Sequence, residues 1–142
     1  MRISELGRRV GVDPPTIRYY ESVQVLPEPA RTPAGYRDYD EEDADRLRFV
    51  SLARSLGLSM GDIREVLALR DRGEPPCGYV RRVLTEQADA IEQRILELQR
   101  LQAEVQRLTQ VAATLPDTPA DAPYVCDIVQ HASEPVPPGD KA

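Results

Sequence analysis

The chain has 142 residues, 41% hydrophobic and 30% charged, which is typical of a soluble and rather helical protein with one compact domain and an extension. No apolar run approaches the roughly 18 residues that cross a bilayer, and the start MRISELGRRVG lacks the apolar stretch of a signal peptide. We therefore expect a cytoplasmic protein with no membrane partner. In the cytoplasm, two cysteines are more commonly reactive or metal-binding than joined in a structural disulfide.

The net charge of −6 is distributed unevenly. Residues 1–39 hold six arginines against five acidic residues, whereas residues 73–142 hold six basic residues against eleven acidic ones. Screening limits the reach of charge to about 10 Å, so an acidic C-terminal half is compatible with an N-terminal half that binds phosphate.

The first predicted element is a helix with apolar residues at helical spacing, namely Ile3, Leu6 and Val10. Ser4 is a candidate cap for it, and Gly11 ends it. Asp13 is a good N-cap for a second helix, PTIRYYE, in which Pro14 takes the first position at no cost in hydrogen bonding. Two helices joined by a short turn with glycine predict a helix-turn-helix, with the second as recognition helix.

The recognition helix should direct Thr16, Arg18 and Tyr19 outward, with Ile17 and Tyr20 packing inward. A tyrosine offers a flat apolar body to a sugar and a hydroxyl to a phosphate. The alternative is that both tyrosines cover a small core.

The next segment, LPEPARTPAGYRDYD, predicts a short hairpin or wing. Gly35 supplies a turn residue, and Tyr36 and Tyr39 favour strands. Arg31 and Arg37 flank the turn, where each could contact a phosphate. The alternative is an ordinary loop with solvated arginines.

A second helical pair follows the wing. DEEDADRLRFVSLARSLG opens with acids suited to a helix N-terminus, and Gly57 ends it. Its predicted apolar face comprises Leu47, Phe49, Val50, Leu52, Ala53 and Leu56. Ser59 then caps SMGDIREVLAL, with Asp62 in the place of the usual capping-box Glu or Gln.

Residues 79–113 contain neither glycine nor proline and predict one long helix. Its apolar residues recur at steps of three and four, as in a coiled-coil seam: Val80, Leu84, Ala88, Ile91, Ile95, Leu98, Leu101, Val105 and Leu108. A lone helix would leave this seam exposed, which favours a homodimer. A proline-rich loop, LPDTPADAPYVC, follows.

Together RYYE, RTPAGYRDYD, GLSMGDIREVLAL and the long helix resemble the MerR family of bacterial transcription regulators, over roughly residues 1–128. The resemblance implies a winged-helix head and an antiparallel two-stranded coiled coil. It also implies a palindromic operator between promoter elements, where members twist an overlong spacer so that RNA polymerase reads both elements. One departure is Gln24, at a left-handed position where the family usually has glycine, at a cost of about 1 kcal/mol.

The predicted class is therefore all-α with a small β wing. We expect a winged helix-turn-helix head at 1–72, a linker and dimerisation helix at 73–113, an effector-binding loop and short helix at 114–131, and a disordered tail at 132–142. The candidate DNA contacts are Arg2, Thr16, Arg18, Tyr19, Tyr20, Arg31, Gly35, Tyr36 and Arg37.

The two cysteines resemble those of the family's metal sensors. There, a cysteine like Cys77 at the start of the dimer helix combines with cysteines in the other subunit's terminal loop, where Cys126 lies. Mercury and divalent-ion sensors have this first cysteine. The family's other loop cysteine is missing, because VAATLPDTPADAPYV contains none.

Two thiolates alone suit linear mercury(II), whereas adding His131, Asp121 or Asp127 suits a tetrahedral ion such as zinc or cobalt. The candidate metal ligands are Cys77, Cys126 and His131, and the candidate ions are mercury, zinc, cadmium and cobalt. The alternatives are that both cysteines merely pack and that His131 is a bystander.

Two other functions remain open. One is the same architecture answering to oxidants, electrophiles or an organic ligand. The other is an effector-free DNA-architectural protein, which the long helix and cysteine-bearing loop disfavour. An enzyme is not expected, because no nucleophile–base pair, phosphate loop or paired catalytic carboxylates emerge.

Overall fold

The computed structural model describes residues 1–133. This part of the chain folds into six helices and one two-stranded antiparallel sheet: α1 Ile3–Val10, α2 Pro14–Ser22, β1 Ala30–Arg31, β2 Arg37–Asp38, α3 Glu41–Ser55, α4 Met60–Asp71, α5 Cys77–Ala112 and α6 Asp127–Gln130. The predicted class, mainly helical with a small β wing and a long C-terminal helix, is confirmed. None of the helices in residues 1–133 is long and apolar enough to cross a membrane.

The chain divides into two compact units, Met1–Ala88 and a second that begins at Asp89. The first unit includes the opening turns of α5, while the functional boundary predicted at residue 72 stays a prediction. Residues 134–142, most of the predicted disordered tail, lie outside the described residues.

Local signals set the first helix-turn-helix. Gly11 ends α1 with a φ of 79°, a conformation that glycine adopts without a Cβ clash. Asp13 caps α2 by accepting a hydrogen bond from the Thr16 amide at 3.1 Å, as predicted. The predicted Ser4 cap is wrong, because the Leu6 amide already donates to the Arg2 carbonyl and α1 begins at Ile3.

The predicted wing is confirmed. Strands β1 and β2 pair Ala30 with Asp38 and Arg31 with Arg37, and Gly35 turns the chain with a φ of 88°. Gln24 has a φ of 64°, the left-handed conformation that its place in the sequence predicts. The buried residues Val25 and Leu26 follow it, and their burial offsets a strain of about 1 kcal/mol.

The second helical pair packs through a narrower stripe than the sequence predicts. Leu47, Val50 and Ala53 are buried, and Asp40 and Asp43 form a capping box at the start of α3. Leu52 and Leu56, predicted on the apolar face, are instead 60% and 56% exposed. At about 100° per residue, Leu52 and Leu56 lie about 140° and 180° around α3 from Leu47, so both face away from the buried stripe.

The long helix α5 begins at Cys77 rather than just after it. Its first turns pack on the head unit, where the Tyr79 hydroxyl donates to Asp62 at 2.8 Å and Gln87 donates to the Leu56 carbonyl at 3.0 Å. Only half of the predicted capping box therefore forms. The Asp62 amide donates to Ser59 Oγ, while the Asp62 side chain accepts from Tyr79. Further along, the seam residues are 41–58% exposed in the single chain: Leu84, Ile91, Ile95, Leu98, Leu101 and Val105.

Candidate DNA interface and effector region

The recognition helix α2 separates its two faces as its spacing predicts. Ile17 is fully buried and Tyr20 is 8% exposed, so both pack in the head core. Arg18 is exposed, Tyr19 is 51% exposed and Thr16 is half-buried. The exposed guanidinium and the flat phenol next to it are suited to contact bases, sugars and phosphates. The burial of Tyr20 favours the alternative role for that ring, covering the core.

The wing carries a second set of exposed groups. The Arg31 guanidinium donates to the Gly35 carbonyl at 3.1 Å, which holds it against the turn. Tyr36 is 53% exposed, and the Arg2 guanidinium lies 3.9 Å from the centroid of its ring. This cation–π contact joins the start of the chain to the wing tip. Four of the predicted DNA-contacting residues therefore lie on one hairpin: Arg31, Gly35, Tyr36 and Arg37.

A largely covered carboxylate joins the wing to the recognition helix. The Glu21 side chain is 10% exposed and accepts hydrogen bonds from Arg37 Nε at 3.1 Å and from the Tyr39 hydroxyl. Burial and then the hydrogen bond to Glu21 raise the pKa of Tyr39 well above its usual range, which keeps its hydroxyl a donor. Arg37 is thus fixed in direction by an ion pair.

Arg18 and Arg37 line one open cleft between the recognition helix and the wing, with a volume of about 540 Å³. Sequence analysis assigned both to DNA contact without evidence that they lie close together. Each guanidinium can form bidentate hydrogen bonds with a phosphate, but Glu21 and Glu28 line the same cleft and Arg37 already donates to Glu21.

Other arginines form ion pairs and hydrogen bonds within the head. Arg9 forms a bidentate pair with Glu41, at 2.6 and 2.8 Å, and Arg46 forms another with Asp71. Arg64 donates to the Val23 carbonyl at 3.0 Å, beyond the end of α2. Sequence analysis missed this last contact, which joins residues 41 positions apart and leaves no mark on local periodicity.

Both cysteines are free thiols. Cys77 is exposed at the start of α5 in the first unit, and Cys126 is half-buried at the N-cap of α6 in the second. Within residues 1–133 of a single chain, no group of three or more His, Cys, Asp or Glu side chains is arranged to hold a metal ion.

The ring of His131 is oriented by the backbone. Its Nδ1 lies 2.7 Å from the Asp127 carbonyl oxygen. Because a carbonyl only accepts, Nδ1 donates in this contact, and in the neutral ring the lone pair is then on Nε2. Metal-binding histidines are commonly oriented in this way. Asp127 is itself fixed, since its amide donates to Thr118 Oγ1 at 2.8 Å, whereas Asp121 is exposed.

The end of the described chain returns to α5. Glu104 accepts hydrogen bonds from Arg107 and from both the amide and the hydroxyl of Ser133, at 2.8 and 3.1 Å for Ser133. Arg107 also donates to the His131 carbonyl at 2.6 Å. The Arg107 hydrogen bond, followed by those from Ser133, lowers the pKa of Glu104 to about 2. Sequence analysis missed this cluster.

Two helical pairs around an arginine-bearing wing, followed by a long helix with an exposed seam, define a winged helix-turn-helix DNA-binding protein. Residues 1–69 match the family model for the MerR HTH family regulatory protein, and residues 44–108 match the MerR DNA-binding model. The chain belongs to the MerR family of transcription regulators, and it is a regulator rather than an enzyme.

Two curated relatives align with most of the chain. The chain is 43% identical over 108 residues to the HTH-type transcriptional regulator ZntR of Escherichia coli strain K12, covering 75% of this chain and 77% of the relative. It is 33% identical over 134 residues to the mercuric resistance operon regulatory protein of Bacillus cereus, covering 91% and 94%. The second alignment extends over nearly the whole chain.

Among solved structures, the chain is similar to the transcription regulator PbrR691 from Ralstonia metallidurans CH34 in complex with lead(II). The TM-score is 0.71 and the sequence identity 34%, over 92% of this chain and 97% of that chain. The predicted resemblance to the family and to its metal-responsive branch is confirmed at the level of relatives.

Proposed function

We propose that two copies of this chain pair through α5 and bind a palindromic promoter operator with their recognition helices and wings. A soft or divalent metal ion, bound by Cys77 of one subunit and Cys126 of the other, changes the angle between the heads. The bound DNA is then distorted so that RNA polymerase can use the promoter. A regulator of promoters works where the chromosome lies, so we propose a cytoplasmic location.

The exposed seam of α5 supports the dimer. Ile91, Ile95, Leu98 and Leu101 are all about half-exposed along one long helix. Apolar side chains repeating at steps of three and four gain free energy when a second helix covers them. An antiparallel pair of helices brings the start of one beside the end of the other. This pairing would carry Cys77 toward the terminal loop of its partner.

The donor set supports a thiophilic ion. Two free thiols, on Cys77 and Cys126, are the ligands that mercury(II) prefers. Cys77 stands exposed at the first position of α5, where an ion can reach its sulfur. The free Nε2 of His131 could add a third ligand for zinc, cadmium or cobalt. When bound, the ion supplies a crosslink between subunits.

The observation that carries the proposal is the pair of free thiols at the start of α5 and at the N-cap of α6 in a chain of this family. In vitro transcription with mercury(II), zinc(II), cadmium(II) and cobalt(II) tests it on wild type, Cys77→Ser and Cys126→Ser. We expect one or more ions to switch wild-type transcription, and either substitution to remove the response while operator affinity is kept. A metal response unchanged in both variants would contradict the proposal.

A second candidate is the same regulator responding to oxidants, electrophiles or an organic ligand. The observation in its favour is that Cys77 is a free and exposed thiol, which oxidants and electrophiles can reach. Switching of wild type by an alkylating agent or a mild oxidant, but by none of the four metals, would support this reading. Operator binding with no response to either would leave a DNA-architectural role.

A further inference from the structure

The loop that carries Cys126 is closed onto its own helix. The chain leaves α5 after Ala112 and returns at Ser133, whose amide and hydroxyl both donate to Glu104. Arg107, one turn along the same helix, donates to the His131 carbonyl and to Glu104. Both ends of this segment are therefore tied to α5 of the same subunit.

Internal contacts make the segment between these two ends more than a free tether. The Asp127 amide donates to Thr118 Oγ1, and the His131 ring donates to the Asp127 carbonyl. Cys126 lies between Thr118 and His131 along the chain and is half-buried, whereas its neighbour Val125 is 97% exposed. The segment that contains Cys126 is thus held by hydrogen bonds within itself and, at its end, by those from Ser133 to Glu104.

We infer that Glu104 and Arg107 are positioning residues that latch the Cys126 loop to α5 of its own subunit. This inference rests on the proposed function, in which an effector ties Cys126 to the partner subunit. With the latch closed, a pull on the loop displaces α5 and the head attached to it. With the latch open, the loop takes up the pull, and effector binding is uncoupled from the heads.

The chemistry suits a latch that stays closed at neutral pH. Glu104 accepts hydrogen bonds from one guanidinium, one amide and one hydroxyl. A neutral glutamine has a single acceptor oxygen, so it could accept only some of these hydrogen bonds. With its pKa near 2, the carboxylate is ionised in the folded protein throughout the neutral range. Its contribution to stability is complete above its ordinary pKa of 4.5 and is lost as the pH falls toward 2.

The rate of thiol alkylation tests the latch without any metal. Wild-type protein and Glu104→Ala are treated with N-ethylmaleimide, and mass spectrometry follows the Cys126 and Cys77 peptides separately. We expect Cys126 to react several-fold faster in Glu104→Ala, because the released loop exposes its thiol. The Cys77 rate is followed in the same sample and should change less than the Cys126 rate, because general unfolding of the protein would accelerate both cysteines.

Glu97→Ala is the matched control, since Glu97 lies on the same helix and its side chain accepts, within residues 1–133, a hydrogen bond from the Arg94 guanidinium alone, at 3.4 Å. It should leave the Cys126 rate unchanged. Ser133→Pro removes the amide donor to Glu104 without touching α5, so it should accelerate Cys126 even if Glu104→Ala disturbs the helix. Equal Cys126 rates in wild type, Glu104→Ala and Ser133→Pro would overturn the inference.

The coupling step has its own measurement. We expect Glu104→Ala to retain mercury(II) binding, as measured by dialysis. Its metal-dependent change in transcription should be several-fold smaller than that of wild type. A full switch in this variant would also overturn the inference. If wild type itself shows no switch with any metal, the proposed effector is wrong, but the alkylation result still decides whether the latch exists.

Discussion

Glu21 accepts a hydrogen bond from Arg37 Nε at 3.1 Å, so an ion pair joins the recognition helix to the wing. The carboxylate is 10% exposed and also accepts from Tyr39, which makes it a shared acceptor between two elements. The wing therefore has a defined direction relative to α2 before DNA arrives. Preorganisation of this kind lowers the entropic cost of binding.

Removing the shared acceptor should weaken both folding and DNA binding. Glu21→Ala leaves two donors without their partner, and we expect a loss of about 1–3 kcal/mol in the free energy of unfolding. Tyr39→Phe removes only one of the two hydrogen bonds and should cost less. Urea denaturation and operator binding by fluorescence anisotropy measure both effects. Wild-type values for Glu21→Ala in both assays would show that the ion pair positions nothing.

Arg18 is expected to contribute to specific recognition. It is exposed on α2, and Arg18→Ala should weaken operator binding by about 1–3 kcal/mol if the guanidinium reaches a base edge. Binding to unrelated DNA should change much less. Anisotropy titrations with the operator and a scrambled duplex measure the difference. An equal loss on both duplexes would reassign Arg18 to the phosphate backbone.

Arg37 should behave differently from Arg18, although both line the same cleft. A phosphate contact is independent of sequence, so Arg37→Ala should weaken binding to operator and scrambled duplex alike. It should also reduce the slope of log K against log salt by about 1. Titrations at several salt concentrations measure this slope. Lower stability with an unchanged slope would mean that Arg37 serves only its ion pair with Glu21.

The α5 seam should hold the dimer. Ile91 and Leu98 are 50% and 47% exposed in the single chain, and a partner helix would bury both. Ile91→Glu with Leu98→Glu would bury unpaired charges, so we expect monomers in sedimentation experiments. Gln93→Glu is the control, since it places a charge about 200° around the helix from Ile91. A stable dimer of the doubly substituted protein would show that the chain does not dimerise through these residues of α5.

The features that could be predicted from sequence are those fixed by neighbouring residues. Gly11, Asp13 and Gly35 act through their own backbone or the next turn, so the helix-turn-helix and the wing follow from short motifs. The left-handed Gln24 was expected from the family resemblance, because the family usually has glycine at that position.

The missed features depend on residues distant in sequence. Glu21 meets Arg37 across 16 positions, and Glu104 meets Ser133 across 29, so helical periodicity carries no trace of either contact. For the first contact, the sequence showed only that an acidic residue, Glu21, directly follows the two tyrosines in RYYE. Leu52 was misassigned because hydrophobicity alone does not limit how wide a face α3 packs.

The proposed effector site spans two subunits, and mixed dimers test that geometry directly. Cys77→Ser keeps Cys126, and Cys126→Ser keeps Cys77. Each variant alone forms dimers in which no thiol pair can bridge the subunits, so neither should respond to mercury(II). A mixed dimer of the two regains one complete pair, Cys126 from one subunit and Cys77 from the other.

We therefore expect the mixed dimer to recover a metal response that both parents lack. Differently tagged subunits, co-expressed and purified through both tags, provide it for in vitro transcription. A dimer of wild type with the doubly substituted chain is the matched control, because it also holds one Cys77 and one Cys126, but on the same subunit. If only this control responds, both thiols of a site come from one chain, and the crosslink between subunits is refuted.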